Sequence, residues 1–202
     1  MFEEGIAFTG RPGNLDRRGR EFFYRDVIDN RETAFRVAAA VPVQVRNVSL
    51  ALFIGRWLFP GFDLRAAGRV LKGFSVPGRF ELVRRSPVVI FDPCHTVASF
   101  EALLAALKER YSPARTVLYV SLFRDKDVRG ILALLGRSGV GRIVWLDNPN
   151  PRSVGHREAA RMAAGLESMP LESLSGRIGA LRKDRVHVFA GSFSIYRFIK
   201  IS

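Results

Sequence analysis

The sequence predicts an α/β protein: an open, mostly parallel sheet with helices on both faces, preceded by a small segment of strands and two helices. Three observations carry that expectation. From residue 77 onward, short apolar runs alternate with stretches of helical period, the pattern of repeated β-α units with right-handed crossovers. The runs VVIF, TVLYVSL and RIVWL are apolar on both faces, which suits strands covered on either side. Upstream the order differs, with β-like runs first and helices after them. The change falls at Val76-Pro77-Gly78, so one segment is expected over 1–76 and a second over 77–202.

Each element has a local reason. Ile6–Thr9, Glu21–Val27 and Thr33–Ala39 hold aromatic or β-branched residues, with RPGN and DN as turn signals between them. Asn47–Leu58 (NVSLALFIGRWL) has apolar residues at helical spacing, with Asn47 as N-cap and Phe59-Pro60-Gly61 as terminator. Asp63–Phe74 is a second helix, capped by Asp63. Arg79–Arg84 and Val88–Asp92 read as strands, Val97–Tyr111 as a helix, Thr116–Leu122 as a strand and Asp125–Leu135 as a helix. Arg142–Asp147 is the next strand. After the turn NPNPRS, His156–Leu166 and Leu171–Leu181 read as helices, Val186–Ala190 as the last strand, and Gly191-Ser192 opens a short final helix.

Composition narrows the class. The 202 residues fall between one and two domains at about 150 residues each. With 48% hydrophobic and 25% charged residues the chain is globular, which excludes disordered and collagen-like classes. A single cysteine, Cys94, excludes an internal disulfide framework and fits a reducing compartment. The longest apolar stretch, Ser49 to Phe62, is broken by Arg56 and falls short of the ~20 residues of a bilayer span. The start, MFEEG, is acidic where a signal peptide is basic. A cytoplasmic location without membrane association is expected. The net charge of +13 raises nucleic acid as a rival partner. Five lysines and 27 arginines are spread along the whole chain, however, and the densest group is only Arg11, Arg17, Arg18 and Arg20. A nucleic-acid footprint clusters on one face, so that rival is not favoured.

In an open α/β sheet, ligands bind beyond the carboxyl ends of the strands. Four loops leave those ends: Asp92-Pro93-Cys94-His95-Thr96, Phe123-Arg124-Asp125-Lys126-Asp127, Asp147-Asn148-Pro149 and Gly191-Ser192. Acidic, basic and imidazole groups converge there, although each loop alone reads equally as ordinary polar surface. Several chemistries are missing. The five lysines are followed by Gly, Glu, Asp, Asp and Ile, so no lysine is followed by the Ser or Thr that a P-loop needs. No G-x-G-x-x-G follows a strand, and His95, His156 and His187 are too dispersed for a metal cluster. Cys94 beside His95 reads as a small buried loop residue, since catalytic partners come from separate elements. His187 in VHVF reads as structural, and His156 at a helix start as solvated.

Four blocks carry a resemblance. PGRFELVRRSPVVIFDPCHTVASFEALLAAL resembles the start of the C-terminal domain of folylpolyglutamate synthases, members of the Mur ligase family, whose pattern is P-G-R-F-E, an apolar strand, D-G-A-H-N-P and a helix. SLFRDKDVRGILALL resembles the family's A-D-K-D-hydrophobic segment, DRVHVFAGSF its V-L-V-F-G-S-F end, and VRNVSLAL its Q-N-A-A-x-A-L helix. The resemblance runs from about Gly19 to the end. It implies a Rossmann-like C-terminal domain over 77–202 and the tail of the family's ATP-binding central domain over 1–76.

The resemblance also implies roles. Asn47, Arg79 and Asp92 match residues that contact ATP across the family's domain cleft. Asn47 would offer an amide to a purine edge or ribose. Arg79 has a planar donor fork suited to phosphate, and Asp92 accepts from ribose hydroxyls. His95 matches the motif histidine and shapes the same loop. Lys126, in the matched D-K-D block, would meet an acidic substrate. Departures are visible too: D-G-A-H-N-P is D-P-C-H-T-V here, and the stretch from His156 to Val186 is shorter than the family's.

The implied reaction activates a folate carboxylate with ATP and Mg²⁺ as an acyl phosphate, which the amine of an incoming glutamate attacks. No residue is singled out as catalytic, because the P-loop and the Mg²⁺ ligands lie in the part of the family that this sequence does not match. The expectation is a ligase chain that is inactive alone or one part of a split enzyme, with a separate P-loop chain as partner and folate and glutamate as small molecules. The split-enzyme reading places that partner on an apolar face of Leu50, Phe53, Ile54 and Trp57. The alternatives are a non-catalytic nucleotide- or folate-binding module and a truncated gene remnant.

Overall fold

A computed structural model describes residues 7–16, 19–37 and 42–200. The chain divides into two compact units, Met1–Val76 and Pro77–Ser202.

In the first unit, β1 (Phe8–Asp16), β2 (Gly19–Asp26) and β3 (Thr33–Val37) form an antiparallel sheet in sequence order. Strand β1 is longer than the sequence suggests and runs through Arg11-Pro12-Gly13-Asn14. Those residues form an edge strand with a register shift between Pro12 and Leu15, not the expected turn. An edge strand tolerates a proline, since the donor that proline lacks can fall on the unpaired side of the strand. Inward residues of β2 alternate with outward ones, and Phe22 and Tyr24 are fully buried. Helix α1 (Pro42–Leu58) packs on β1 and α2 (Leu64–Gly73) on β3. Asp63 caps α2, accepting from Arg65 N at 2.7 Å. Asn47 is not a cap: α1 starts at Pro42, a residue type favoured at a first helical position. The last turn of α1 is tied to β2 through a buried carboxylate. Asp26 accepts from Arg56 Nη1 at 3.0 Å, from Ile28 N at 3.0 Å and from the Tyr24 hydroxyl.

The second unit is a six-stranded sheet ordered β4-β5-β9-β6-β7-β8. Its strands are β4 (Glu81–Arg85), β5 (Val88–Asp92), β6 (Thr116–Val120), β7 (Arg142–Asp147), β8 (Glu167–Pro170) and β9 (Val186–Ala190). Only β4 is antiparallel to its neighbour. Every residue of β6 and β9 is buried, the mark of a sheet covered on both faces. The steps β5 to β6, β6 to β7 and β7 to β8 run in one direction across the sheet. Right-handed crossovers therefore put α3 (Val97–Lys108), α4 (Val128–Gly136) and α5 (His156–Met162) on one face, and α3 touches α4 as α4 touches α5.

The return from β8 to β9 runs the opposite way and covers the other face. There Leu171, Leu174 and Ile178 join Ile195 and Ile199 against Phe91, Tyr119 and Phe189. Two expectations change in this stretch. Leu171–Leu181 is not one helix but two 3₁₀ turns, 171–174 and 178–180, separated by Gly176 at φ +77. Residues 167–170 form strand β8, which periodicity did not reveal. The last element is α6 (Tyr196–Ile199).

Candidate functional site

Strand β9 lies between β5 and β6, and its outgoing connection leaves on the face opposite to α3 and α4. That reversal opens a crevice at the carboxyl ends of β5, β9 and β6, where an open α/β sheet binds ligands. Gly191 forms its floor at φ +107, so close to β6 that a Cβ there would lie 2.2 Å from the Ser121 carbonyl oxygen. Only glycine fits.

Asp92 ends β5 and organises the left side of this crevice. Its carboxylate is buried, with Oδ2 accepting from Phe80 N at 3.0 Å and Oδ1 from Cys94 N at 2.9 Å. One side chain thus holds both the loop after β5 and the turn before β4. That turn is unusual: Gly78 sits at φ +75 and Phe80, a non-glycine residue, at φ +47. Between them Arg79 is exposed. The other anchor is Glu81, whose Oε2 accepts from Gly78 N and from the Tyr196 hydroxyl, each at 2.6 Å. Lys200 Nζ in turn donates to Tyr196 Oη at 2.7 Å. Arg79 is therefore displayed on a turn locked from two sides.

Burial pushes the Asp92 carboxyl above the usual carboxylate range, against the pull of the Phe80 N–H, the Arg79 charge and the Cys94 N–H. Cys94 is buried, and burial plus the Asp92 charge push its thiol well up. It stays a neutral thiol and not a nucleophile. His95 is exposed; its Nδ1 lies 3.0 Å from the Pro93 carbonyl oxygen, and its backbone N–H donates to Ser99 Oγ at 3.1 Å. It stands just before Thr96, the N-cap of α3, which forms a capping box with Ser99.

The structure brings Arg79, Asp92 and His95 together at the end of β5. Lys126 lies elsewhere on the edge, in the loop after β6, paired with Asp125 at 2.7 Å. Asn47 belongs to the first unit, at an exposed position of α1. His156 is not simply solvated, as expected, because its Nε2 lies 3.0 Å from the Leu166 carbonyl oxygen. Sequence reasoning missed Glu81, Tyr196, Ser194 and Lys200. Glu81 stood in the quoted P-G-R-F-E block. The other three had no signal before the fold placed α6 next to that turn. Asn148, after β7, donates to Ser194 Oγ at 2.9 Å and joins two of the edge loops. Among the described residues, no group of three or more His, Cys, Asp or Glu is placed to hold a metal ion, and no helix is long and apolar enough to cross a membrane.

Comparison with known proteins places this geometry. The model of the Mur ligase glutamate ligase domain matches residues 78–193. A dihydrofolate synthase/folylpolyglutamate synthase of Mycobacterium tuberculosis is 33% identical over 127 residues, covering 60% of this chain and 26% of that protein. Among solved structures, the Mycobacterium tuberculosis folylpolyglutamate synthase complexed with ADP and AMPPCP superposes with a TM-score of 0.76 at 22% identity, over 97% of this chain and 47% of that one. The bifunctional folylpolyglutamate synthase/dihydrofolate synthase of Yersinia pestis, complexed with AMPPNP and a Mn ion, gives 0.71 at 22% identity, over 96% and 45%. The chain spans less than half the length of each of these relatives. With the family model matching more than half of its residues, the chain belongs to the Mur ligase family and is folylpolyglutamate-synthase-like within it.

Proposed function

We propose that this chain supplies the carboxyl-terminal half of an ATP-dependent ligase that joins glutamate to a folate, and that a P-loop-bearing partner supplies the other half. In that reaction a carboxylate of the folate takes the γ-phosphoryl group and ADP leaves. The amine of glutamate then attacks the acyl phosphate and displaces phosphate. The observation that supports the reading is the Arg79 turn: an exposed guanidinium on a backbone fixed by Asp92 and Glu81, at the crevice where such sheets bind ligands.

Each residue has a limited part. Arg79 offers a fixed charge to phosphate. Asp92 first holds that turn, and each of its oxygens retains a further lone pair for a ribose hydroxyl. His95 keeps the loop after β5 in shape through its bonds to Pro93 and Ser99. Asn47 lies in the first unit, and its reading as an amide for the nucleotide rests on the resemblance alone. Lys126 meets the acidic substrate only by leaving Asp125. The donor set does not suit Mg²⁺, since no carboxylate cluster accompanies Arg79, and the metal ligands are assigned to the partner with the P-loop.

The partner's docking face is the exposed end of α1, where Trp57 is 58%, Leu58 53% and Phe59 61% exposed. Phe53, expected on that face, is buried and stacks on Phe8 at 5.7 Å. The test is direct. The purified chain, given ATP, Mg²⁺, a folate and glutamate, releases no phosphate and forms no product, and a captured partner carrying G-x-x-x-x-G-K-[ST] restores both. Turnover by the chain alone overturns the proposal. A second reading, a module without catalysis, is favoured by the occupation of both Asp92 oxygens by backbone N–H groups. It is selected if nucleotide binds but no partner is captured.

A further inference from the structure

The charge of the second unit is divided unevenly between the two ends of its sheet. The residues that lead into β5, β6, β7, β8 and β9 are 84–87, 108–115, 136–142, 162–167 and 181–185. They hold ten arginines and lysines against three acids, Glu109, Glu167 and Asp184. Arg84 and Arg85 belong to this end because β4 runs antiparallel to β5. The residues that lead out of β5, β6, β7 and β9 are 92–96, 121–127, 147–155 and 191–192, and hold three cations and four acids. Arginines dispersed along the sequence thus gather at the edge opposite the crevice.

The neighbouring loops of that edge are laced together. Arg115, before β6, donates from Nε at 2.9 Å and from Nη2 at 2.6 Å to the Asp184 carbonyl before β9. Arg185 Nη1 returns a bond to the Ala114 carbonyl at 2.8 Å. Gly141 N, before β7, donates to the Pro113 carbonyl at 3.0 Å. These guanidiniums are fixed on carbonyl oxygens, which leaves their charge in place. The acids offset little of the total. Arg142 pairs with Glu167 and Arg182 with Asp184, each at 2.8 Å. Arg85, Arg137 and Lys183 are exposed and pair with no carboxylate among the described residues.

Two further features select the partner. Leu82 and Phe193, the exposed large hydrophobic residues of this unit, lie outside these segments. A protein interface carries an apolar or aromatic core, and a membrane-surface element an apolar face. A phosphate backbone needs only cations and N–H donors. Single strands ask for successive aromatic rings on which bases stack, and half-buried Tyr111 is the one aromatic residue in these segments. The edge is also long. From β4 to β7 it crosses four strand spacings, about 19 Å, which matches about six phosphates along one duplex strand.

We propose that the edge at which the parallel strands begin binds the phosphate backbone of double-stranded nucleic acid, without reading its sequence. This surface lies opposite Arg79 and Asp92 and does not depend on the contacts proposed there.

Fluorescence anisotropy of the full chain with labelled duplex DNA and, separately, duplex RNA tests the surface and tells the two apart. Binding of at least one duplex is expected, weakening at least a hundredfold between about 50 and 200 mM salt, as four or more phosphate contacts require. Arg85→Gln with Lys183→Gln should weaken it at least fivefold and lower the salt slope by about two. Arg129→Gln with Arg157→Gln removes the same charge from exposed positions where α4 and α5 begin, and should leave both unchanged. Acetylation of the unaltered chain is the second measurement should the first pair fail to fold. The duplex should protect Lys108 and Lys183 but not Lys126 or Lys200. Absence of binding at about 50 mM salt overturns the proposal, as does equal weakening by both pairs of substitutions or protection of Lys126 and Lys200 instead. Phosphatidylserine vesicles or polyglutamate binding as tightly as the duplex also overturn it, and assign the edge to a membrane surface or an acidic protein.

Discussion

The two units differ in how they treat their apolar residues. In the second unit the parallel strands are covered on both faces, and of the large hydrophobic residues described only Leu82 and Phe193 are substantially exposed. The first unit has one three-stranded sheet with two helices, and it exposes Val27, Ile28, Leu50, Ile54, Trp57, Leu58, Phe59, Val70 and Phe74. A two-sided sheet with crossover helices closes its own core, whereas a three-stranded sheet covered by two helices has too few layers to do so. The second unit is therefore expected to fold without help, and the first to depend on a few specific contacts.

Cutting the chain between Val76 and Pro77 should give the largest effect. Residues 77–202 alone are expected to melt in one cooperative transition with native-like amide protection. Residues 1–76 alone should show none. Cooperative melting of both pieces would remove the contrast. The next effect sharpens it inside the first unit. Asp26→Ala strips the buried partner from Arg56 and the acceptor from Tyr24, whose phenol is already pushed up by burial and by its bond to Asp26. Orphaning a buried charge costs about 3 kcal/mol, tempered here because Arg56 keeps Asp29 at 2.9 Å. Hydrogen exchange should show the loss confined to β1–β3 and α1, with β5, β6 and β9 unchanged.

In the second unit Asp92→Ala leaves the Phe80 and Cys94 N–H groups without their acceptor. A lost acceptor of this kind costs about 1–3 kcal/mol. The readout that separates it from general destabilisation is local: exchange at Gly78–Glu81 rises more than at β6. Glu81→Gln should act more weakly on the same turn, because its amide oxygen can still accept.

These contrasts also explain what was legible in the sequence. Strands β5, β6, β7 and β9 were readable because a strand covered on both faces is continuously apolar, a local signal. Asp92 and His95 could be placed at one strand end because strand, loop and helix succeed each other there, whereas Arg79 was joined to them by the resemblance alone. Elements set by tertiary contact were not readable. Leu171, Leu174 and Ile178 have helical spacing, yet Gly176 and packing against Tyr119 and Phe189 divide the stretch into two turns. Arg11 and Pro12 look like part of a turn and are strand because β2 pairs with them. Tyr196 and Lys200 reach Glu81 across more than a hundred residues, and no periodicity reports that.

A smaller effect comes from acid. His187 is buried between β5 and β6, and its Nε2 lies 3.0 Å from the Arg182 carbonyl oxygen. With Nε2–H donating there, Nδ1 accepts from the Tyr119 hydroxyl at 3.2 Å. Burial holds the imidazole below its ordinary value near 6.5, against the upward pull of the Arg182 carbonyl and Asp184. The unfolded chain thus takes the proton first. Stability is complete above about pH 6.5 and falls as the pH drops below it. Denaturant melts at pH 7.5 and 5.5 should show the decline in the second unit, and His187→Gln should flatten it. An unchanged slope would assign the acid sensitivity to carboxylates instead.

The smallest effect on stability is expected from Leu58→Ser combined with Phe59→Ser, both at exposed positions. Such substitutions stay within about 0.5 kcal/mol, so the melt should be unchanged or slightly improved in solubility. The same pair should abolish capture of a P-loop-bearing partner, since apolar surface of that size is what an interface removes from water. If the melt drops by several degrees, these side chains already serve the core of the first unit, and the contrast between the units narrows. If neither melt nor capture changes, the end of α1 is ordinary surface and the proposed docking face is refuted.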